Sequence, residues 1–166
     1  MKLLTKKTDY AIRAVCYLAD NPGRLVPSKE IAEREKIPLP YLRRLLPVLI
    51  GARIIASKEG LKGGLRLIKK PASVKIADII TLFDGRIQIS ECMFRKSLCK
   101  KRATCVLRKR ILAIEKKIIR EFSDLSVGRL LADIRKMHRS RQKNNGKNIM
   151  RQENKPFNKQ KKEEHG

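Results

Sequence analysis

The 166-residue chain reads as a mainly α fold with a small β-hairpin wing: a winged helix-turn-helix followed by a long dimerisation helix. Three observations carry that reading. Apolar residues recur at helical spacing in three short segments before residue 52. Two apolar runs then flank a Gly-rich loop, the pattern of a hairpin. Residues Val106 to Phe122 hold the longest helical pattern in the chain.

The first helix is expected over residues 6–19, where Tyr10, Ala11, Ala14, Val15 and Leu18 share one face. Thr5 is the expected N-cap, Asp9 lies near the positive end of the dipole, and Asn21-Pro22-Gly23 breaks the helix. Ser28 is the expected cap of a short second helix, about Lys29 to Lys36, with Ile31 and Ala32 inward. A third helix starts near Pro40 and runs to about Gly51, with Leu42, Leu45, Leu46, Leu49 and Ile50 as its buried stripe. Pro47 lacks an amide donor and is expected to kink or shorten it. A short helix, a tight turn and a helix with Tyr41, Arg43 and Arg44 near its start describe a helix-turn-helix. Ile54 to Ser57 and Leu65 to Ile68 then pair across the loop Lys58 to Gly64 as the wing. Beyond Pro71, Ser73 is the expected cap of a helix covering Ile76 to Phe83, ended by Asp84-Gly85. In the long helix Leu107, Ile111, Ile114, Ile118 and Phe122 form a stripe that suits pairing with a second copy, packing on its own domain, or both. Ser126 caps a last helix, about Val127 to Met137.

Charge narrows the function. Lys and Arg number 41 against 16 Asp and Glu, a formal charge of +25. Residues 139–166 hold nine Lys/Arg, three Glu and almost no apolar side chains, so they read as a disordered basic tail. Residues 1–138 keep 32 basic against 13 acidic side chains, +19, so the body is itself basic. Lys36 to Lys70 alone carry nine Lys/Arg and one Glu. A polyanion partner is implied, and with the helix-turn-helix and wing it is double-stranded DNA. The expected contacts are Ser28, Pro40, Tyr41, Arg43 and Arg44 from the helix-turn-helix and Lys62, Gly63, Gly64 and Arg66 from the wing. The longest stretch without a charged side chain, Leu45 to Ala52, is far short of the ~20 residues of a membrane span. The first twenty residues carry no apolar leader, so a cytoplasmic location is expected.

Cys92, Cys99 and Cys105 lie in a stretch without periodicity, spaced C-x6-C-x5-C. In a cytosolic chain they are not expected to form structural disulfides. Arg95, Lys96, Lys100, Lys101 and Arg102 surround them and favour thiolates. An iron–sulfur cluster, zinc and bare thiols each fit. The wide spacing, without a close C-x2-4-C pair, leans toward a cluster. Glu91, Asp9, His138 and His165 are the candidate fourth ligands by chemistry, and Cys16 reads as a small core residue.

Four stretches together resemble the Rrf2 family of bacterial winged-helix regulators: Leu4 to Arg13, Ile37 to Leu42, Gly60 to Leu67, and the cysteines Cys92, Cys99 and Cys105. The resemblance covers residues 1 to about 135. It implies a homodimer that binds operator DNA, usually as a repressor, with an iron–sulfur cluster on the three cysteines setting its affinity. The segment Thr8-Asp9-Tyr10-Ala11 is most similar to the nitric-oxide-sensing branch, in which an aspartate at this place in the partner subunit is the fourth ligand. The histidine that another branch uses just after the third cysteine is absent, since Val106, Leu107 and Arg108 stand there. The implied organisation is a DNA-binding region over 1–70, a cluster loop and dimerisation helix over 71–138, and the tail over 139–166. The competing reading is a zinc- or thiol-stabilised RNA- or ribosome-binding protein, against which stands the shortage of aromatics for base stacking. A redox enzyme is disfavoured by the lack of a Cys-x-x-Cys pair, a phosphate loop or paired carboxylates.

Overall fold

In the computed structural model, residues 4–60, 62–89, 103–137 and 139 are described. Helix α1 spans Lys6–Asp20. Its inward face of Ala11, Ala14, Val15 and Leu18 is buried, and Cys16 is buried beside it. The two alanines keep the helix surface low, so neighbours approach closely. Helices α2 (Ser28–Glu35) and α3 (Leu39–Gly51) both pack on α1 and on each other. Strand β1 (Ile55–Lys58) pairs antiparallel with β2 (Gly64–Leu67), with Ile55 opposite Leu67 and Lys58 opposite Gly64. Val26 adds a third short segment to this wing. Its amide donates to the Leu65 carbonyl and the Leu65 amide returns the bond, both at 2.8 Å. The chain then passes through a 3-10 turn (Pro71–Ser73) into α4 (Ile76–Asp84) and, beyond the cysteine stretch, α5 (Val106–Asp124).

Several local expectations are corrected. Ser28 does not cap α2; Pro27 is the N-cap and Ser28 is already helical. Ser73 does not cap α4, whose N-cap is Lys75. The Ser73 hydroxyl instead donates to the Lys70 carbonyl at 2.7 Å, closing the 3-10 turn. Pro47 does not shorten α3, which continues to Gly51. Pro47 is exposed, and the one helix carbonyl it leaves without a donor, that of the exposed Arg43, lies on the solvent side. Of the expected α3 stripe, Leu42, Leu45, Leu46 and Leu49 are buried and Ile50 is half-buried.

Thr5 does occupy the N-cap of α1, but its side chain makes no capping bond. Its hydroxyl and amide donate to the Asp84 carboxylate at 2.7 and 3.1 Å, and the Thr8 hydroxyl donates to the same group at 2.6 Å. The last residue of α4 thereby holds the first turn of α1. Thr8 is fully buried, so this clamp is also the satisfaction of its hydroxyl.

One pair of backbone bonds joins the start of α4 to the chain just after α5. The Ile76 amide donates to the Leu125 carbonyl and the Val127 amide to the Val74 carbonyl, both at 2.9 Å. Ile118, Ile119 and Phe122, in the second half of α5, pack on the core, whereas Val106, Leu107 and Ile114 are 68%, 63% and 52% exposed. Residues 127–131 are helical, and Ser126 caps them, its Oγ accepting the Arg129 amide at 3.2 Å. The chain divides into two compact units, Met1–Leu131 and Ala132–Gly166. Everything above lies in the first; in the second, residues 132–137 are helical. The basic tail lies outside the described residues except for Arg139.

Burial pushes the Asp84 carboxyl up, but the bonds from Thr5 and Thr8, with Lys7 nearby, prevail and hold it below the usual carboxylate range. Its contribution to stability is therefore full above the unfolded value near pH 4 and is lost as pH falls through the lower folded value. Asp84→Ala is expected to lower stability at pH 7 by about 1–2 kcal/mol, the group being partly exposed. Urea titrations of wild type and variant at pH 7 and pH 3 check this, and the difference should shrink at the lower pH.

Candidate nucleic-acid interface

The turn between α2 and α3 is set by Lys36, whose φ of 51° lies in the left-handed region. This reverses the chain and lets the Ile37 amide donate back to the Ala32 carbonyl at 2.9 Å. Ile37 is buried below the corner, and Pro38 then opens α3 with an extended backbone. The Pro38 carbonyl accepts the Tyr41 and Leu42 amides at 2.9 and 3.0 Å. Pro40, Arg43 and Arg44 are exposed on α3, and the half-buried Tyr41 meets Tyr10 of α1 edge to face, ring centroids 5.4 Å apart. Ser28 is half-buried at the start of α2.

The wing places Lys62 and Arg66 on its exposed surface. Gly60 has a φ of 104°, and its carbonyl accepts the Gly63 amide at 2.9 Å. A side chain at Gly63 would collide with the Lys58 and Gly60 carbonyls, and one at Gly64 would lie 2.9 Å from the Val26 backbone. The glycines are thus needed for the tightness of the loop and for its docking on Val26. Arg43 and Arg44 belong to one helix and Lys62 and Arg66 to the wing that follows it. Two basic elements separated in sequence by some twenty residues are suited to a helix-and-wing grip on a phosphate backbone.

Sequence reasoning missed what supports this surface. Arg13 of α1 lies 3.5 Å from the Asp9 carboxylate, donates to Glu35 of α2 at 3.3 Å, and has its guanidinium 5.7 Å from the Tyr10 ring centroid. Tyr17 donates to Glu30 at 2.8 Å, and Arg24 pairs with the same carboxylate. The Tyr17 hydrogen bond first, then Arg24, holds Glu30 below its ordinary range. These charges lie scattered along the sequence. The helical spacing of Asp9 and Arg13 is the one part of the network that local pattern could have shown.

Of the proposed cluster ligands, Cys92 and Cys99 lie outside the described residues, as do Glu91, His138 and His165. Cys105 is the N-cap of α5, and its Sγ accepts the Arg108 amide at 3.4 Å. The positive end of the helix faces the sulfur, an arrangement that suits an anionic ligand. Asp9 is exposed on α1. Among the described residues no three His, Cys, Asp or Glu side chains gather at one point. Cys16 is core, as expected. Burial first, then Glu35 and Asp20, pushes its thiol up to about 11. Among the described residues no helix is long and apolar enough to cross a membrane.

Comparison with known proteins agrees with the winged helix-turn-helix fold. The Rrf2 family model, described as an iron-dependent transcriptional regulator, matches residues 4–133. An HTH-type transcriptional regulator of Aquifex aeolicus is 38% identical over 90 residues, 54% of this chain and 62% of that protein, so the match spans less than two thirds of its length. The HTH-type transcriptional regulator NsrR of Shouchella clausii is 30% identical over 105 residues, 63% of this chain and 67% of that protein. The solved structure of IscR from T. potens superposes with a TM-score of 0.64 at 27% identity, covering 81% of this chain and 88% of that one.

The burial of Cys16 leads to a direct expectation. In the folded protein at pH 8 its protonated thiol should resist alkylation, and unfolding in guanidinium should expose it. Peptide mass mapping of alkylated protein before and after denaturation makes the comparison; rapid native labelling of Cys16 would contradict the core placement.

Proposed function

The chain belongs to the Rrf2 family of transcriptional regulators, and on that premise we propose that it is a homodimeric repressor whose operator affinity is set by an iron–sulfur cluster sensing nitric oxide, iron or redox state. As a member of a family of DNA-binding regulators it is not an enzyme. The observation that carries the reading is the adjacency of Asp9 and Tyr10. Tyr10 packs on Tyr41 at the start of α3, while the Asp9 side chain beside it is 55% exposed. A group that engages Asp9 from outside therefore acts one residue from a direct contact with the helix proposed to enter the major groove.

Cys92, Cys99 and Cys105 of one protomer, with Asp9 of the partner subunit, would hold the cluster. Such a cluster would supply an iron with a labile coordination site, since a carboxylate oxygen would be a weaker ligand than the thiolates. The chain's own part is mechanical. The Asp9–Arg13 pair is exposed and worth only about 0.3–0.5 kcal/mol, so its loss on ligation is cheap. Arg13 also donates to Glu35 at the end of α2. A change at Asp9 then reaches α2 through Arg13 and α3 through Tyr10. The exposed Val106, Leu107 and Ile114 support α5 as the dimer helix, since burying them on a second copy would remove apolar surface from water.

On the DNA side, Tyr41, Arg43 and Arg44 approach bases and phosphates while Ser28 and Pro40 flank them. The wing, through Lys62, Gly63, Gly64 and Arg66, follows the backbone or minor groove. The basic tail, residues 139–166, adds sequence-independent attraction.

Two outcomes test this reading. In footprinting and affinity measurements against salt, Arg44→Ala should cost about 1–3 kcal/mol if it reads guanine. Lys62→Ala should flatten the salt slope by about 0.9 per half-site, about 1.8 for a dimer. Unchanged binding in both variants would remove the interface assignment. In anaerobic preparations, Cys92→Ala, Cys99→Ala and Cys105→Ala should each lose the iron and sulfide content and visible absorption of wild type. Asp9→Ala should alter the spectrum and uncouple DNA release from nitric oxide. A colourless wild-type protein with stoichiometric zinc would overturn the cluster.

A further inference from the structure

Among the described residues two that are not glycine have positive φ, Lys36 at 51° and Arg53 at 53°. They stand at matching corners. Lys36 follows α2 and opens the turn into α3; Arg53 follows α3 and opens the path into β1. Each is succeeded by a buried isoleucine whose amide reaches five residues back, Ile37 to Ala32 at 2.9 Å and Ile54 to Leu49 at 3.1 Å. A corner of this kind favours glycine, because a side chain in the left-handed region crowds the following carbonyl. Here both corners carry a long cation, and both cations are exposed.

We propose that Lys36 and Arg53 are phosphate anchors at the two ends of α3, a deepening that rests on the DNA-binding reading above. Four observations combine. The strained conformation is used twice, by a basic residue each time, and in each case at an end of the same helix. Strain of this kind persists where a functional side chain is wanted at that point. Helix α3 has 13 residues, about 20 Å of axis, against a major groove ~12 Å wide. In that docking, cations at its two ends lie beyond Arg43 and Arg44 along the helix and meet backbone phosphates. They fix orientation and carry no sequence information.

The test exploits opposite signs. Lys36→Gly and Arg53→Gly relax the corner and remove the cation, so the full-length protein should become more resistant to urea while binding DNA less tightly. A duplex selected by the wild type from a random-sequence library serves as the probe. Each glycine variant should lose about five- to thirtyfold in affinity near 0.1 M salt and flatten the salt slope by about 0.9 per half-site. Both should select the same sequence as wild type. Lys36→Arg and Arg53→Lys should keep the affinity and the slope. Glycine variants that gain stability and bind with unchanged affinity and slope would overturn the proposal and leave the DNA-binding reading standing. Failure of the wild type to bind any duplex would overturn both.

Discussion

Helix α1 carries four other elements on its flanks, and the rest of the first unit depends on that packing. α2, α3, β2 and α4 all meet it. The face they share is built from Ala11, Ala14, Val15 and Leu18, which leave little room for change. A larger side chain at either alanine would force neighbours apart on several sides at once, since a close-packed interior relaxes only partly. The helix-turn-helix, the wing and α4 are thus held in register by one surface.

The polar rim of the same helix does different work. At its start, Thr5 and Thr8 are bonded to Asp84, so the first turn of α1 is tied to the end of α4. One turn later Asp9 and Arg13 form an exposed pair that is weak by itself. Between them Tyr10 touches Tyr41, and Arg13 touches Glu35. Firm attachment at one side and a weak, exposed pair beside α3 suit the proposed relay.

Helix α5 divides in the same spirit. Its second half serves the core through Ile118, Ile119 and Phe122, while Val106, Leu107 and Ile114 of its first half are exposed. One continuous stripe in the sequence therefore has two environments, which is why its periodicity alone leaves self-packing and pairing both open. Glu115 lies between the halves, buried, and accepts the Ile89 amide at 3.1 Å. It ties the helix to the segment that leads toward Cys92.

The helices, the hairpin and the core placement of Cys16 were legible in the sequence, because each is recorded by side chains a few residues apart: apolar repeats, the Pro22-Gly23 break, the crowded glycines of the wing. The basic character of α3 and the wing was legible for the same reason. The caps were less so. Ser28 and Ser73 are good N-cap residues, yet the structure gives those roles to Pro27 and Lys75. Likewise Pro47 is tolerated because its lost bond faces solvent, which no local pattern states. What only the tertiary structure decided is which distant groups meet. Thr5 chooses Asp84, 79 residues away, over its own helix, Val26 joins β2, and Lys36 and Arg53 take up left-handed corners at the two ends of one helix. A hydrogen-bonding side chain has several partners available nearby. Which one it takes depends on the groups that packing has already brought within reach, and those lie far from it along the chain.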